Sequence, residues 1–181
     1  MKFTPLILKG AYVIDHDVKT DPRGAFARTF CRNEFSEAGI EIDFVQFNHS
    51  WNTAKGTLRG MHYQLPPFRE NKLIRCVSGK VFDVLVDLRK DSPTFLQYVS
   101  VELSEENCRS VYIPEGFAHG FQTLSENSQL LYHHTEYYKP SFEGGLRFDD
   151  PLLGIKWPGD VAVISDRDKS HPLLNKSFKG I

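Results

Sequence analysis

The amino-acid sequence predicts an all-β protein, built as an antiparallel sandwich or barrel, and three observations carry this prediction. Apolar and polar residues alternate with period two in several short segments in the middle of the chain, which is typical of strands with one buried face. Polar turn segments separate these strands at intervals of about 12 to 16 residues. No long amphipathic helices alternate with the strands, so a doubly wound α/β sheet is disfavoured.

In chain order, the first predicted element is a short surface helix that begins at Asn33 and ends near Gly39, because these residue types favour the two helix ends. Four strands are predicted at residues 80–88, 95–103, 108–113 and 129–135. In the first of these strands, alternate apolar residues from Phe82 to Leu88 share one face. From about residue 140 the alternation gives way to Gly, Pro and Asp. We therefore expect residues 140–181 to form a C-terminal wrap, with short helical turns, within one domain of residues 1–181.

Composition excludes several classes of protein. The 181 residues include 22 Lys and Arg against 23 Asp and Glu, so no broad basic field predicts binding to nucleic acid. The three cysteines form no CxxC pair, which disfavours a disulfide framework or a thiolate zinc site. No apolar run reaches the roughly 18 to 20 residues that span a bilayer, and the N-terminus has no signal-peptide pattern. The sequence predicts a cytoplasmic protein without a membrane partner.

Nucleotide-cofactor and serine-hydrolase motifs are absent from the sequence. It contains no GxGxxG, no GxxxxGK[ST] and no GxSxG, which are the fingerprints of dinucleotide sites, P-loops and the nucleophile elbow. The segment 113–119, IPEGFAH, resembles the second motif of the cupins, which often bind a metal. Their first motif needs His-x-His, whereas here Gln64 stands two residues after His62. We therefore predict that the protein has no catalytic metal.

Nine segments, in order and along almost the whole chain, are similar to one enzyme family. They are 21–26 (DPRGAF), 44–50 (FVQFNHS), 58–64 (LRGMHYQ), 72–76 (KLIRC), 83–89 (DVLVDLR), 113–121 (IPEGFAHGF), 149–151 (DDP), 155–158 (IKWP) and 164–168 (ISDRD). In these segments the sequence resembles the dTDP-4-dehydrorhamnose 3,5-epimerases. The resemblance implies a cupin-type jelly roll, a homodimer that exchanges N-terminal strands, and cofactor-independent action on a nucleotide-linked 4-keto-6-deoxyhexose.

Epimerisation next to a ketone requires a base, an acid on the other side of the ring and a group that stabilises the enolate oxygen. The resemblance implies that His62 is the base, and an imidazole with a pKa of about 6.5 suits this role. It implies Asp168, rather than the neighbouring Asp166, as the carboxylate that orients His62. By the same resemblance Tyr132 is the general acid, and Lys72 places its ammonium near the C4 oxygen. The C-terminal wrap would then carry part of the active site.

The resemblance also implies a set of substrate-binding residues: Arg23, Phe26, Gln46, Asn48, Arg59, His119, Tyr138, Glu143 and Arg167. Arg23 and Arg59 would contact the diphosphate, and Tyr138 would stack on the thymine. Simple alternation puts Arg59 on the strand face opposite His62, although a bulge at Gly60 can change this. Two residues depart from the usual family pattern: His133 stands where typical members have Lys, and Arg28 where many have Glu.

The leading hypothesis is a 3,5-epimerase of a dTDP-4-keto-6-deoxyhexose in deoxysugar biosynthesis. A close alternative is a 3-epimerase or a 5-epimerase that acts on a related nucleotide-linked 4-keto sugar. A metal-dependent cupin is disfavoured by Gln64. A non-catalytic sugar-binding cupin does not need the set His62, Asp168, Tyr132 and Lys72, all of which the sequence contains.

Overall fold

The computed structural model describes residues 1–181, and most of its regular structure is strand. The strands are β1 Lys2–Pro5, β2 Tyr12–Asp15, β3 Lys19–Asp21, β4 Gly24–Phe26, β5 Gln46–Asn52, β6 Leu58–Gln64, β7 Lys72–Ser78, β8 Lys80–Asp87, β9 Tyr98–Ser104, β10 Arg109–Ile113, β11 Phe117–Thr123, β12 Ser128–His134 and β13 Glu143–Gly145. Two short helices, α1 Arg32–Glu37 and α2 Asp166–Ser170, and a 3-10 turn at Pro140–Phe142 complete the fold.

Two antiparallel sheets form the body of the molecule. One has six strands in the order β1-β2-β10-β7-β12-β5, and the other has five in the order β13-β6-β11-β8-β9. A buried cluster with members from both sheets, including Ile74, Leu130, Leu85 and Phe121, fills the space between them. The prediction of an all-β sandwich with short helices is therefore confirmed. The hairpin of β3 and β4 pairs with neither sheet.

Strand β8 is buried on both faces, which explains its nearly continuous apolar sequence. Val81 and Leu85 belong to the cluster between the sheets. Val84 and Val86, on the alternate face, pack in a second cluster with residues of the C-terminal segment, among them Leu146, Leu153, Ile155, Trp157, Leu174 and Phe178. The segment after residue 140 thus lies over the outer face of the five-stranded sheet, where each buried aliphatic side chain contributes about 1.5–3 kcal/mol.

Two predicted element boundaries are wrong. Helix α1 begins at Arg32 after Cys31, without a side-chain cap, so Asn33 lies inside the helix. The burial of Phe35 in a third apolar cluster anchors this helix instead. The strand predicted from residue 95 begins at Tyr98, because Leu96 has a φ of 61° and belongs to the preceding turn.

No helix in the structure is long and apolar enough to cross a membrane.

Candidate active site

A cavity of about 290 Å³ opens between the two sheets. Its lining is unusually polar for a space of this kind, with only four hydrophobic residues among fifteen. The lining residues are Gln46, Asn48, His49, Ser50, Arg59, His62, Tyr63, Gln64, Glu70, His119, Phe121, Tyr132, His134, Tyr138 and Glu143. Strands β5 and β12 contribute from the six-stranded sheet, and β6 and β11 from the five-stranded sheet.

A bulge in β6 brings two predicted site residues into this cavity. On the neighbouring strand β11, His119 pairs with His62 and Phe121 pairs with Arg59. One residue of β11, Gly120, therefore lies opposite two residues of β6. The extra residue reverses the alternation of side chains on β6. Arg59 and His62 consequently both line the cavity, which simple alternation did not predict.

Glycine is required at the bulge itself. Gly60 has a φ of 124°, a conformation that other residues rarely adopt. A Cβ atom at this position would lie 2.5 Å from the Cα of Gly120, so the two backbones approach too closely for any side chain. The Gly60 N–H also donates a hydrogen bond of 3.1 Å to Asp168 Oδ2. The bulge therefore helps to hold a carboxylate beside the strand that carries His62.

His62 and Asp168, which are 106 residues apart in sequence, form a close pair: His62 Nε2 lies 2.8 Å from Asp168 Oδ1. Asp168 is in helix α2, where its own N–H donates to the Oγ of the N-cap Ser165 at 3.0 Å. Asp168 is buried, whereas about a third of the His62 side chain is exposed to the cavity. The rival residue Asp166 is fully exposed and pairs with Lys169 instead.

The surroundings of Asp168 stabilise its anionic form. Burial alone raises the pKa of this carboxyl, but the hydrogen bond from His62, the nearby charge of that ring and the N–H of Gly60 lower it further than burial raises it. The net pKa lies below the ordinary value of 3.8. An anionic Asp168 accepts the Nε2 proton of His62, so Nδ1 of the same ring is the atom that can accept a proton.

Tyr132 faces the same cavity from the opposite sheet, because it is on β12 and His62 is on β6. Its hydroxyl lies 3.2 Å from Ser50 Oγ. Burial raises the pKa of this hydroxyl well above its ordinary value of 10.0. Tyr132 is therefore held in its protonated form, as a hydrogen-bond or proton donor, while His62 offers a free imidazole nitrogen on the other side.

Lys72 does not line the cavity but is buried just behind it. Its Nζ lies 3.2 Å from Glu70 Oε1, and the other oxygen of Glu70 lies 2.7 Å from His134 Nδ1. His134 Nε2 is in turn 3.3 Å from the side-chain nitrogen of Asn48. Burial raises the pKa of Glu70, but Lys72 and then His134 lower it more, so the net pKa is lowered.

Sequence reasoning missed Glu70 and His134. His134 had a detectable signal, since it lies two residues after Tyr132 and must share its strand face. It also pairs in register with Lys72 on β7. Glu70 lies in the loop before β7, where no periodicity indicates the direction of a side chain.

Tyr138, Glu143 and Arg167 form a second network at the edge of the cavity. The Tyr138 hydroxyl donates to Glu143 Oε2 at 2.6 Å, and Arg167 pairs with the other oxygen of Glu143. The backbone N–H of Tyr138 donates to Gln46 Oε1 at 3.0 Å. Arg59 is anchored separately, with Nε donating to Asn52 Oδ1 at 2.7 Å. These contacts fix two arginines and one aromatic ring at or beside the cavity, and these residue types suit a diphosphate and a nucleotide base.

Two predicted binding residues are not brought to this cavity. Arg23 and Phe26 belong to the β3–β4 hairpin, where Arg23 pairs with Asp21 and Phe26 is 75% exposed. His119 does line the cavity, but it is buried and its Nε2 lies 2.8 Å from Asp83 Oδ2.

Gln64 stands at the position where a metal-binding cupin has its second histidine. Its Nε2 donates to the carbonyl of Phe68 at 3.1 Å, and its Oε1 accepts from the N–H of Lys139 at 2.8 Å. The nitrogen and the oxygen of the side-chain amide are therefore both hydrogen-bonded to backbone groups of neighbouring loops. This side chain holds two loops together at the cavity wall.

The fold and the site define a class: a two-sheet β enzyme whose cavity has a carboxylate-oriented imidazole on one sheet and a protonated tyrosine on the other. The family model of the dTDP-4-dehydrorhamnose 3,5-epimerases matches residues 5–176. The chain belongs to this family, and its enzymatic class is that of the isomerases.

Curated relatives and solved structures agree with this assignment. The chain is 46% identical over 168 residues to the dTDP-4-dehydrorhamnose 3,5-epimerase of Salmonella typhimurium, with 92% of this chain and 91% of that protein covered. The corresponding enzyme of Methanothermobacter thermautotrophicus is 44% identical over 179 residues, with 97% and 96% covered.

Among solved structures, the Bacillus anthracis epimerase with TDP and PPi bound superposes with a TM-score of 0.93 at 38% identity, covering 96% of this chain and 99% of that one. The Legionella pneumophila enzyme in complex with dTDP-4-keto-L-rhamnose has a TM-score of 0.90 at 40% identity, covering 95% and 92%. A 3'-monoepimerase from Streptomyces bikiniensis, in complex with dTDP-quinovose, has a TM-score of 0.87 at 34% identity, covering 93% and 86%. The cupin-type fold predicted from the sequence is thereby confirmed.

Proposed function

We propose that the protein epimerises C3 and C5 of dTDP-4-dehydro-6-deoxy-D-glucose to give dTDP-4-dehydro-L-rhamnose, without a cofactor. The observation that carries this proposal is the placement of the His62–Asp168 pair and of Tyr132 on opposite sheets of one cavity. Inversion at a carbon needs a base on one face and an acid on the other. Family membership supplies the substrate class.

In the proposed reaction, Nδ1 of His62 removes the proton from a carbon next to the C4 ketone. The electron pair of the broken C–H bond moves into an enolate whose charge rests on the C4 oxygen. Tyr132 then donates its proton to the opposite face of the same carbon, so that one C–H bond is lost and one is formed. Exchange with water reprotonates Tyr132 and deprotonates His62, and the same cycle inverts the second carbon.

Asp168 stabilises the imidazolium that forms in this step, since an anion 2.8 Å from Nε2 favours the charged ring. Lys72, held behind the cavity by Glu70, supplies positive charge for the enolate oxygen. The Tyr138 ring, Arg59 and Arg167 bind the nucleotide and its diphosphate, with Gln46, Asn48, His119 and Glu143 as further substrate contacts.

We also propose that the active form is a homodimer in which the β3–β4 hairpin of each chain completes the cavity of the other. Arg23 and Phe26 do not line the cavity of their own chain. Strand β5 ends the six-stranded sheet and exposes Phe47 and Trp51 beside an open edge. An exposed edge with large aromatic side chains is a natural place for a second copy to dock.

The cytoplasmic location predicted from the sequence stays a prediction.

Incubation with dTDP-4-dehydro-6-deoxy-D-glucose in deuterated water tests the reaction. Incorporation of deuterium at both C3 and C5, with formation of the L-rhamno product, supports the proposal. Incorporation at C3 alone supports the 3-epimerase alternative, which the similarity to a 3'-monoepimerase keeps open. Absence of exchange at both carbons contradicts the proposed substrate.

Mixed dimers test the exchange of hairpins. Chains with His62→Ala and chains with Arg23→Ala are co-expressed with different tags, and the dimer that carries both tags is purified. If Arg23 serves the cavity of the other chain, one site of the mixed dimer has both native residues, and activity returns to about half that of the wild type. If Arg23 serves its own chain, both sites carry a defect and activity does not return.

A further inference from the structure

His171 is a half-buried histidine beside the catalytic pair, and the proposed reaction does not use it. It follows helix α2, three residues after Asp168. Its ring centroid lies 6.3 Å from that of His62, and its Nε2 atom is buried without a hydrogen-bond partner. A buried polar atom without a hydrogen-bond partner costs about 1–3 kcal/mol of stability, so such atoms are uncommon in folded proteins.

The absence of a side chain at Gly145 makes room for this ring. Gly145 on β13 pairs in register with His62 on β6. A Cβ atom at Gly145 would lie 2.1 Å from His171 Nε2, so the imidazole occupies the space that any other residue type would fill. His171 is thereby placed alongside His62, on the same side of the sheet as the catalytic pair.

One ligand atom from each of His62, Asp168 and His171 lies within 4.8 Å of the other two. Two imidazoles and one carboxylate are a donor set that suits Zn²⁺ and other divalent transition metals. With bonds of about 2.0–2.2 Å, a tetrahedral ion separates its ligands by about 3.4 Å. His62 Nε2 and Asp168 Oδ1, which are 2.8 Å apart, would therefore separate slightly to admit the ion, and the half-buried His171 ring would adjust to complete the set.

We propose that His62, Asp168 and His171 form a binding site for Zn²⁺ or a similar divalent transition metal, and that the bound ion inhibits the enzyme reversibly. The ion replaces the proton on Nε2 of His62. The single proton of the neutral ring then resides on Nδ1, the atom that must accept a proton from the sugar, so the base is lost without any net release of protons. The fourth position of the ion is open to water.

Metal binding is measured first without substrate, because the diphosphate of the nucleotide also binds Zn²⁺. Protein treated with a chelator is dialysed and titrated with ZnCl₂ by calorimetry, for the wild type, His171→Ala and the control His133→Ala, which removes an imidazole elsewhere. We expect one ion per chain in the wild type and in the control. We expect at least about tenfold weaker binding in His171→Ala, since one of three protein ligands is lost.

Activity is then followed by deuterium exchange with and without ZnCl₂, and again after addition of EDTA. We expect the wild type to lose activity and to regain it with EDTA, and His171→Ala to need at least about tenfold more Zn²⁺ for the same loss. Should His171→Ala fail to fold, His171→Asn replaces it. Equal zinc affinity in wild type and variant, or no binding by the wild type, overturns the proposal. The calorimetric measurement of zinc binding does not depend on the proposed epimerisation. Failure of the zinc proposal can therefore be distinguished from failure of the proposed function.

Discussion

Two histidine–carboxylate pairs lie side by side in this protein and differ mainly in burial. His62 and His119 are register partners on neighbouring strands, and each has a carboxylate oxygen 2.8 Å from its Nε2. The His62 side chain is 31% exposed, against 6% for His119. Both oxygens of Asp168 accept hydrogen bonds, whereas Oδ1 of Asp83 is buried without a partner.

The difference in surroundings gives the two carboxyls opposite properties. The pKa of Asp168 is lowered, because the hydrogen bonds it accepts outweigh burial. Burial raises the pKa of Asp83, and the charge of His119 offsets only part of that effect. In the proposed mechanism the His62–Asp168 pair therefore transfers a proton at the cavity, whereas the more buried His119–Asp83 pair takes no part in proton transfer.

The largest expected effect is that of His62→Asn. This variant removes the proposed base but keeps a polar side chain of similar size, and we expect deuterium exchange at C3 and C5 to fall about 10³-fold or more. Binding of dTDP, measured by calorimetry, serves as the control and should change little. Substantial residual exchange would reject His62 as the base and would make His119 the next candidate.

Asp168→Asn is expected to reduce turnover about 10²-fold, because an amide can donate to His62 and select the wrong tautomer. This variant should also change the pH dependence of stability. A carboxyl with a lowered folded-state pKa stabilises the protein above its unfolded pKa of about 4, and that contribution disappears as the pH falls through the folded value. Urea unfolding at pH 7 and at pH 3 should therefore show a larger wild-type advantage at pH 7 than at pH 3.

The sequence could predict the sheets but not the surroundings that distinguish these pairs. Period-two alternation identified β8, yet it could not show that the C-terminal segment covers the outer face of that strand. His62 and Asp168 lie too far apart in sequence for spacing to connect them, and only the family resemblance did so. The bulge that turns Arg59 into the cavity depends on the close approach of Gly60 to a neighbouring strand, which is a tertiary contact.

A third histidine–carboxylate pair, His134 and Glu70, is intermediate in burial, with both side chains 10% exposed. Glu70→Gln keeps a hydrogen-bond acceptor for His134 but removes the charge that holds Lys72. Because positive charge at the enolate matters most in the transition state, we expect kcat to fall about tenfold with little change in KM. His134→Gln is the matched control. An increase in KM alone would mean that Glu70 contacts bound sugar instead of positioning Lys72.

The smallest expected effect is that of Asp83→Asn, which keeps an acceptor for His119 while removing an ionisable group from the sheet interior. A carboxyl whose pKa is raised in the folded state destabilises the protein as the pH rises above the unfolded-state pKa of about 4. The reason is that the folded state binds the proton more tightly than the unfolded state does. The stability of the variant relative to the wild type, measured by urea unfolding, should therefore increase as the pH rises from 4 to 7. Its turnover should stay within about tenfold of wild type, since the buried pair exchanges no proton with the sugar. A loss as large as that of His62→Asn would show that burial does not separate the roles of the two pairs, and that His119 takes part in proton transfer.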